Sequence, residues 1–252
     1  LARHVGVRVV VADLGVAEEL KPHPNLVIKK INYGTKNMAK EPAMAESEAI
    51  KSIETGIAIF EDEFKKGVDI IGTGEMGIGN TTPSSAIAAV LTKTSVEDVT
   101  GRGTGISEER LNNKIRVIKE ALKLNKPDPG DAIDVLTKVG GFEIGGLTGI
   151  ILASASRKIP IVIDGFISGA AALIAYHLEP KTKEYMIASH CSVEKGHKII
   201  LEHIGLKPLL DLNLRLGEGT GAALGISIVE AATKILVQMA TFKSAEVSER
   251  IK

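Results

Sequence analysis

Val68-Asp69-Ile70-Ile71-Gly72-Thr73-Gly74-Glu75-Met76-Gly77-Ile78-Gly79-Asn80-Thr81-Thr82-Pro83 passes from a β-branched run, through a glycine-rich loop, into a helical pattern. A buried strand that feeds a helix through a tight turn is the unit of parallel sheets covered by helices. Pro83 suits the first helical position, where its missing N–H costs nothing. Free amides and hydroxyls at such a helix start bind anions, so a phosphate is the natural guest of this loop. Glu75, a carboxylate inside the same loop, points to chemistry beyond a plain turn.

The alternation recurs along the chain. Strands are expected at Val5 to Ala12, Leu26 to Ile31, Val68 to Gly72, Pro160 to Asp164, Tyr185 to Ser189 and Leu209 to Leu216. Helices are expected at Met44 to Lys65, Pro83 to Thr92, Glu108 to Leu124, Gly130 to Val139, Glu143 to Ser156, Ile167 to His177, Val193 to Ile204 and Gly221 to Thr241. The pattern predicts an α/β fold: an open, mainly parallel sheet of about six strands with helices on both faces, Rossmann-like, plus a small helical appendage. Residues 1–220 read as the nucleotide-binding and catalytic domain. Residues 221–252 read as a C-terminal helix contributing to a small helical domain whose N-terminal part is expected to lie outside this chain. Pro127-Asp128-Pro129-Gly130 reads as a turn between helices rather than a linker.

Composition narrows the function. The 252 residues are 44% hydrophobic, enough for a packed core, and 31 basic residues balance 31 acidic ones. That balance gives no overall field for nucleic acid or anionic lipid, so neither is expected as a partner. Cys191, the single cysteine, excludes an intrachain disulfide and fits a reducing compartment, with the cytoplasm as the default. No run of about eighteen uninterrupted apolar residues occurs, and no membrane span is expected. Leu1 opens a chain already reading as a strand by Val5, so the natural N-terminus is expected to lie further upstream.

The special residues gather where strands end: the loop from Gly72 to Pro83, Asp164-Gly165-Phe166, Ser189-His190-Cys191-Ser192, and Arg215-Leu216-Gly217-Glu218-Gly219-Thr220-Gly221. Ligands of open α/β sheets bind outside the carboxyl ends of the strands, so these loops define a cleft. Glu218 stands between glycines, where backbone turns tightly and ligands come close. It and Glu75 are two carboxylates on one rim. In a partly closed apolar pocket such a group is raised toward neutrality and acts as a base. The alternative is that each holds its own loop by accepting backbone amides.

Other motifs weigh less. Gly72-x-Gly74-x-x-Gly77 matches the dinucleotide fingerprint, but no second strand ending in an acid follows about twenty residues on. Lys114 lies two turns into a helix capped by Ser107, where most lysines are solvated. Asp164 is equally suited to capping the next helix or to binding a ligand. His190, Cys191, His197 and His203 lack the short paired spacings of a zinc site, and no metal is expected. Ser192 lacks the Gly-x-Ser-x-Gly elbow of a hydrolase.

Together, Gly74 to Thr82, Asp164-Gly165-Phe166, Ser189-His190 and Arg215 to Ala223 closely resemble the nicotinate-nucleotide:dimethylbenzimidazole phosphoribosyltransferases, from Val5 to about Thr241. The resemblance implies phosphoribosyl transfer from nicotinate mononucleotide to 5,6-dimethylbenzimidazole, giving α-ribazole 5′-phosphate and nicotinate, without a metal or redox cofactor. It implies Glu218 as general base, Glu75 as a second catalytic carboxylate, and Lys114 near the nucleotide. Gly74, Met76, Gly77, Gly79, Asn80, Thr81, Asp164, Gly165, Ser192, Leu216 and Gly217 would contact substrate. It also implies a homodimer, and a segment of about one hundred residues ahead of Leu1 that lines the benzimidazole pocket. A non-catalytic nucleotide-binding module and a nicotinamide-dependent oxidoreductase are the competing readings.

Overall fold

The computed structural model describes residues 1–103 and 105–246. The elements run α1 (Ala2–Val5), β1 (Val11–Asp13), β2 (Leu26–Ile28), α2 (Glu46–Phe64), β3 (Ile71–Gly72), α3 (Thr81–Thr92), α4 (Val96–Val99), α5 (Glu108–Asn125), α6 (Ala132–Val139), α7 (Phe142–Ser156), β4 (Ile161–Ile163), α8 (Phe166–Leu178), β5 (Met186–Ala188), α9 (Lys195–Ile204) and α10 (Thr220–Gln238). A 3-10 turn, Pro180–Tyr185, leads into β5. Residues 247–252, the end of the expected C-terminal segment, lie outside the described residues.

The fold is α/β with parallel strands, but the expected single sheet of about six strands is two small ones. β1 pairs with β2, with Val11 opposite Leu26, and β3, β4 and β5 form a three-stranded sheet in that order. One expected strand is shortened and another is lost. Val5 to Ala12 begins as α1, closed by Gly6 at φ 72°, and only its last residues reach the β1 ladder. Leu209 to Leu216 runs beside the chain leaving β5, through Leu209 N–H to the Ala188 carbonyl (3.0 Å) and Cys191 N–H to the Leu210 carbonyl (2.8 Å). Asn213 at φ 54° then turns it out of extended backbone, and Leu212 and Leu216 stay exposed. Alternation marks a strand only where a second layer covers the apolar face, and among the described residues none covers these leucines.

β4 is buried on both sides and shows how the layers are assigned. Ile161 and Ile163 point into the main core with α7 and α8, while Val162 points the other way, onto Ala222 and Ile226 of α10. Side chains of a strand alternate between faces, so one three-residue strand joins the two layers. α2 and α7 approach backbone to backbone, because a side chain at Gly149 would meet the Ile53 carbonyl carbon at 2.9 Å and Ile57 N at 3.0 Å.

α10 is long and apolar enough to cross a membrane, a property not anticipated from uninterrupted apolar runs. Its first turns are instead part of the core: Gly221, Ala222, Ala223, Gly225 and Ile226 are buried. Its second half carries the ion pair Lys234–Glu230 at 2.6 Å and leaves Ile235, Leu236 and Val237 exposed.

Candidate active site

The C-terminal ends of β3, β4 and β5 deliver the loops read as functional. Thr73 follows β3 and its hydroxyl oxygen accepts the Asp164 amide at 3.0 Å, so the first two loops are stitched together at their roots. Ser189, just past β5, donates to the Asp164 carbonyl at 3.1 Å.

Glu218 follows directly from the local backbone. Gly217, Glu218 and Gly219 have φ of 77°, 57° and 75°, three successive left-handed residues ahead of α10. For glutamate that conformation costs roughly 1–2 kcal/mol and marks a position held by its surroundings. Two contacts hold it. Gly74 packs against the loop so closely that a methyl there would lie 2.6 Å from Gly219 N and 3.0 Å from the Glu218 carbonyl carbon. Asp164, buried at the end of β4, accepts the Gly219 and Ala222 amides, each at 3.0 Å. Asp164 thus caps a helix, as one of its sequence readings had it. The helix is the distant α10 rather than the following α8, whose N-cap Gly165 makes no side-chain cap. Burial pushes the Asp164 carboxyl up, against the pull of those amides and of His190, whose Nδ1 is 4.0 Å away.

Glu75 lies on the same rim. A methyl at Gly217 would be 3.4 Å from Glu75 Oε1, which places the two carboxylate loops side by side. Burial raises the Glu75 carboxyl above its ordinary value, and the charges of Glu143, Asp164 and Glu218 raise it further, while its bond from Asn80 Nδ2 (2.6 Å) pulls it down. The rim is therefore an acidic pocket suited to stabilising a cation. Met76, Ile78 and Leu216 stand exposed beside it.

The anion end is built differently from expectation. α3 begins at Thr81 with Asn80 as its N-cap residue, two residues ahead of Pro83. Asn80 makes no cap bond, because its amide is drawn to Glu75 and Glu143. Lys114 is half-buried, not solvated: its ammonium donates to Thr81 Oγ1 at 2.8 Å and to the Gly101 carbonyl at 3.3 Å. Burial lowers its pKa, and the nearby Glu194 charge opposes that shift. A cation whose contacts are neutral oxygens at a helix start is arranged to meet an anion. Gly77 and Gly79 lie in the loop ahead of this helix, Gly79 at φ 77°. Ser192, past β5, donates its amide to His197 Nδ1 at 2.9 Å, and burial and His190 push the His197 imidazole down to about 3.

Glu143 and Glu194 were missed by sequence reasoning. Glu143 reads as an ordinary acid in the first turn of α7, stabilised by the helix dipole. Glu194 follows a loop residue already singled out, and its buried Oε2 has no hydrogen-bond partner among the described residues. The segment after the dinucleotide-like fingerprint is helix α4, capped by Ser95, where a dinucleotide site needs a strand.

The model of the DBI_PRT phosphoribosyltransferase family matches residues 1–247. The chain belongs to this phosphoribosyltransferase family. A nicotinate-nucleotide--dimethylbenzimidazole phosphoribosyltransferase of Desulforudis audaxviator (strain MP104C) is 58% identical over 249 residues, covering 99% of this chain and 70% of that protein. The like-named protein of Chloroflexus aurantiacus (strain ATCC 29366 / DSM 635 / J-10-fl) is 56% identical over 251 residues, 100% of this chain and 72% of its own length. The crystal structure of CobT from Thermus thermophilus superposes with a TM-score of 0.94 at 41% identity, covering 99% of this chain and 74% of that one. The phosphoribosyltransferase assignment makes this chain a pentosyltransferase and disfavours both the non-catalytic module and the oxidoreductase.

Proposed function

We propose that this chain transfers phosphoribose from nicotinate mononucleotide to 5,6-dimethylbenzimidazole, with Glu218 as the general base. The observation that carries the reading is the pairing of Glu218 and Glu75 on adjoining loops, with the Lys114 ammonium of α5 on Thr81 at the start of α3. A ring nitrogen of the benzimidazole attacks the anomeric carbon with its lone pair. The bond from that carbon to nicotinate breaks, and nicotinate leaves from the opposite face with the bonding pair. The anomeric configuration inverts from β to α, and the benzimidazole is left cationic with an acidic N–H. Glu218 takes that proton, as general-base catalysis requires.

The remaining roles follow the chemistry of the site. Glu75, in its acidic surroundings, stabilises the oxocarbenium-like charge that develops on the ribose. Lys114, Thr81 and the glycines from Gly74 to Gly79 receive the phosphate. Met76 and Leu216 face the aromatic rings. Asp164 acts through the backbone of the Glu218 loop rather than by contact with substrate. The exposed second half of α10 belongs to a small helical unit and, in the homodimer, to a surface covered by protein. A Rossmann-like description fits the β3–β4–β5 core, and the single cysteine fits a cytoplasmic setting.

The test is incubation of the chain with nicotinate mononucleotide and dimethylbenzimidazole. Release of nicotinate with formation of α-ribazole 5′-phosphate is expected. Nucleotide binding without nicotinate release would return the non-catalytic module.

A further inference from the structure

Asn80 links three elements of the site. It is buried at the start of α3, and its Nδ2 donates to Glu75 Oε2 at 2.6 Å and to Glu143 Oε1 at 3.2 Å. In their ionised form both neighbours only accept hydrogen bonds, so the nitrogen and not the oxygen of the amide faces them. With both Nδ2 protons engaged, the amide can neither flip nor cap α3. The space around it is closed, since a methyl at Gly77 would lie 3.0 Å from Asn80 Cγ. Glu143 comes from a separate helix, in the first turn of α7 after Gly140-Gly141, and its carboxylate folds back against Gly141.

From this geometry we infer that Glu143 is a positioning residue, which holds the Asn80 amide and through it fixes the carboxylate of Glu75. The role rests on Glu75 acting in the transfer proposed above. Without Glu143 one amide proton loses its acceptor, Asn80 is free to rotate toward the empty cap position of α3, and Glu75 loses the partner that orients it. Reacting groups displaced by about 1 Å lose on the order of a hundredfold in rate, so an effect through an intermediate residue is large enough to measure. Glu143 also acts by charge. The groups that face Glu75 are Asn80, Glu143 from α7, Asp164 from the end of β4 and Glu218 from the loop before α10, and all but Asn80 hold its proton on.

Two substitutions separate the effects. Glu143→Ala removes acceptor and charge. It is expected to lower kcat about tenfold or more, with the KM for nicotinate mononucleotide within about twofold. Glu143→Gln keeps an acceptor oxygen but no charge. It is expected to restore kcat to within about threefold of the parent and to move the acid limb of the kcat/KM profile to lower pH. Parental kcat in Glu143→Ala, or a Glu143→Gln variant no better than Glu143→Ala, would overturn the role. A third readout needs no turnover. The carboxyl carbon of Glu75, assigned in 13C-glutamate-labelled protein by difference from Glu75→Gln, should titrate at lower pH in Glu143→Gln than in the parent, and an unmoved titration would overturn the contact. Failure of the parent to release nicotinate would sink the proposed reaction and leave this titration as an independent test of the Glu143 contact.

Discussion

Gly74→Ala tests how Glu218, the proposed base, is held. The substitution adds one methyl to a residue whose φ is not in the left-handed region, so its effect is packing alone. The new carbon would lie 2.6 Å from Gly219 N, 2.8 Å from Gly219 Cα and 3.0 Å from the Glu218 carbonyl carbon. Ordinary contacts are about 3.5–4 Å, so the gap must open by roughly half an ångström to 1 Å. All three atoms are backbone, and none can swing aside as a side chain would. Overpacking of this kind costs about 1–3 kcal/mol, or roughly 2–4 °C in Tm for each kcal/mol in a chain of this size. The displaced loop carries Glu218, and a misplacement of about 1 Å costs on the order of a hundredfold in turnover. Gly67→Ala is the control. Gly67 has φ 89° with nothing among the described residues within 4 Å of the added methyl, so it meets backbone strain of about 1–2 kcal/mol but moves no site residue. Thermal unfolding and steady-state kinetics on both variants should show similar stability losses, with kcat reduced only in Gly74→Ala. Equal kcat in the two would refute the idea that the Gly74 contact sets the position of Glu218.

Two further outcomes follow from the same geometry. Asp164→Asn replaces one carboxylate oxygen by a donor facing the Gly219 or Ala222 amide. It should lower the urea midpoint by an amount equivalent to about 1–3 kcal/mol, with unchanged m-value, and should reduce kcat more than nucleotide affinity; an unchanged midpoint would exclude Asp164 as the cap of α10. Glu75→Gln should raise Tm at pH 7 while lowering turnover. Burial and three neighbouring carboxylates raise the folded Glu75 pKa above its unfolded value, so its ionised form costs stability at neutral pH. That cost disappears as pH falls below the ordinary carboxylate range at about 4.3; a Tm gain that persisted at low pH would mean the effect is not electrostatic.

Much of the candidate site was legible in sequence because its parts carry strong local signals. Glycines on both sides of Glu218 announce left-handed backbone, and an acid inside the Gly72 to Pro83 loop stands out against a plain turn. Asp164 was legible as a cap but not as the cap of α10, because 58 residues separate it from the Ala222 amide it accepts. Glu143 carried no signal: an acid in the first turn of a helix is favoured by the helix dipole wherever it occurs, and only the fold brings it to Asn80. The sheet was overcounted for a related reason. Leu209 to Leu216 has the period of a strand, but Leu212 and Leu216 meet no covering layer among the described residues, and Asn213 at φ 54° breaks the extended backbone between the contacts of Leu209 and Leu210 and that of Leu214. Lys114 needed its tertiary partners, Thr81 Oγ1 and the Gly101 carbonyl, to be distinguished from a surface lysine.

The central claim is that the glycine-flanked turn exists to present Glu218 to a proton on the acceptor. Rapid-quench measurement of nicotinate release by Glu218→Gln, alongside its affinity for nicotinate mononucleotide, addresses it directly. The variant should fold, bind the nucleotide as the parent does and turn over about 10²–10⁴-fold more slowly. Near-parental turnover would contradict the account.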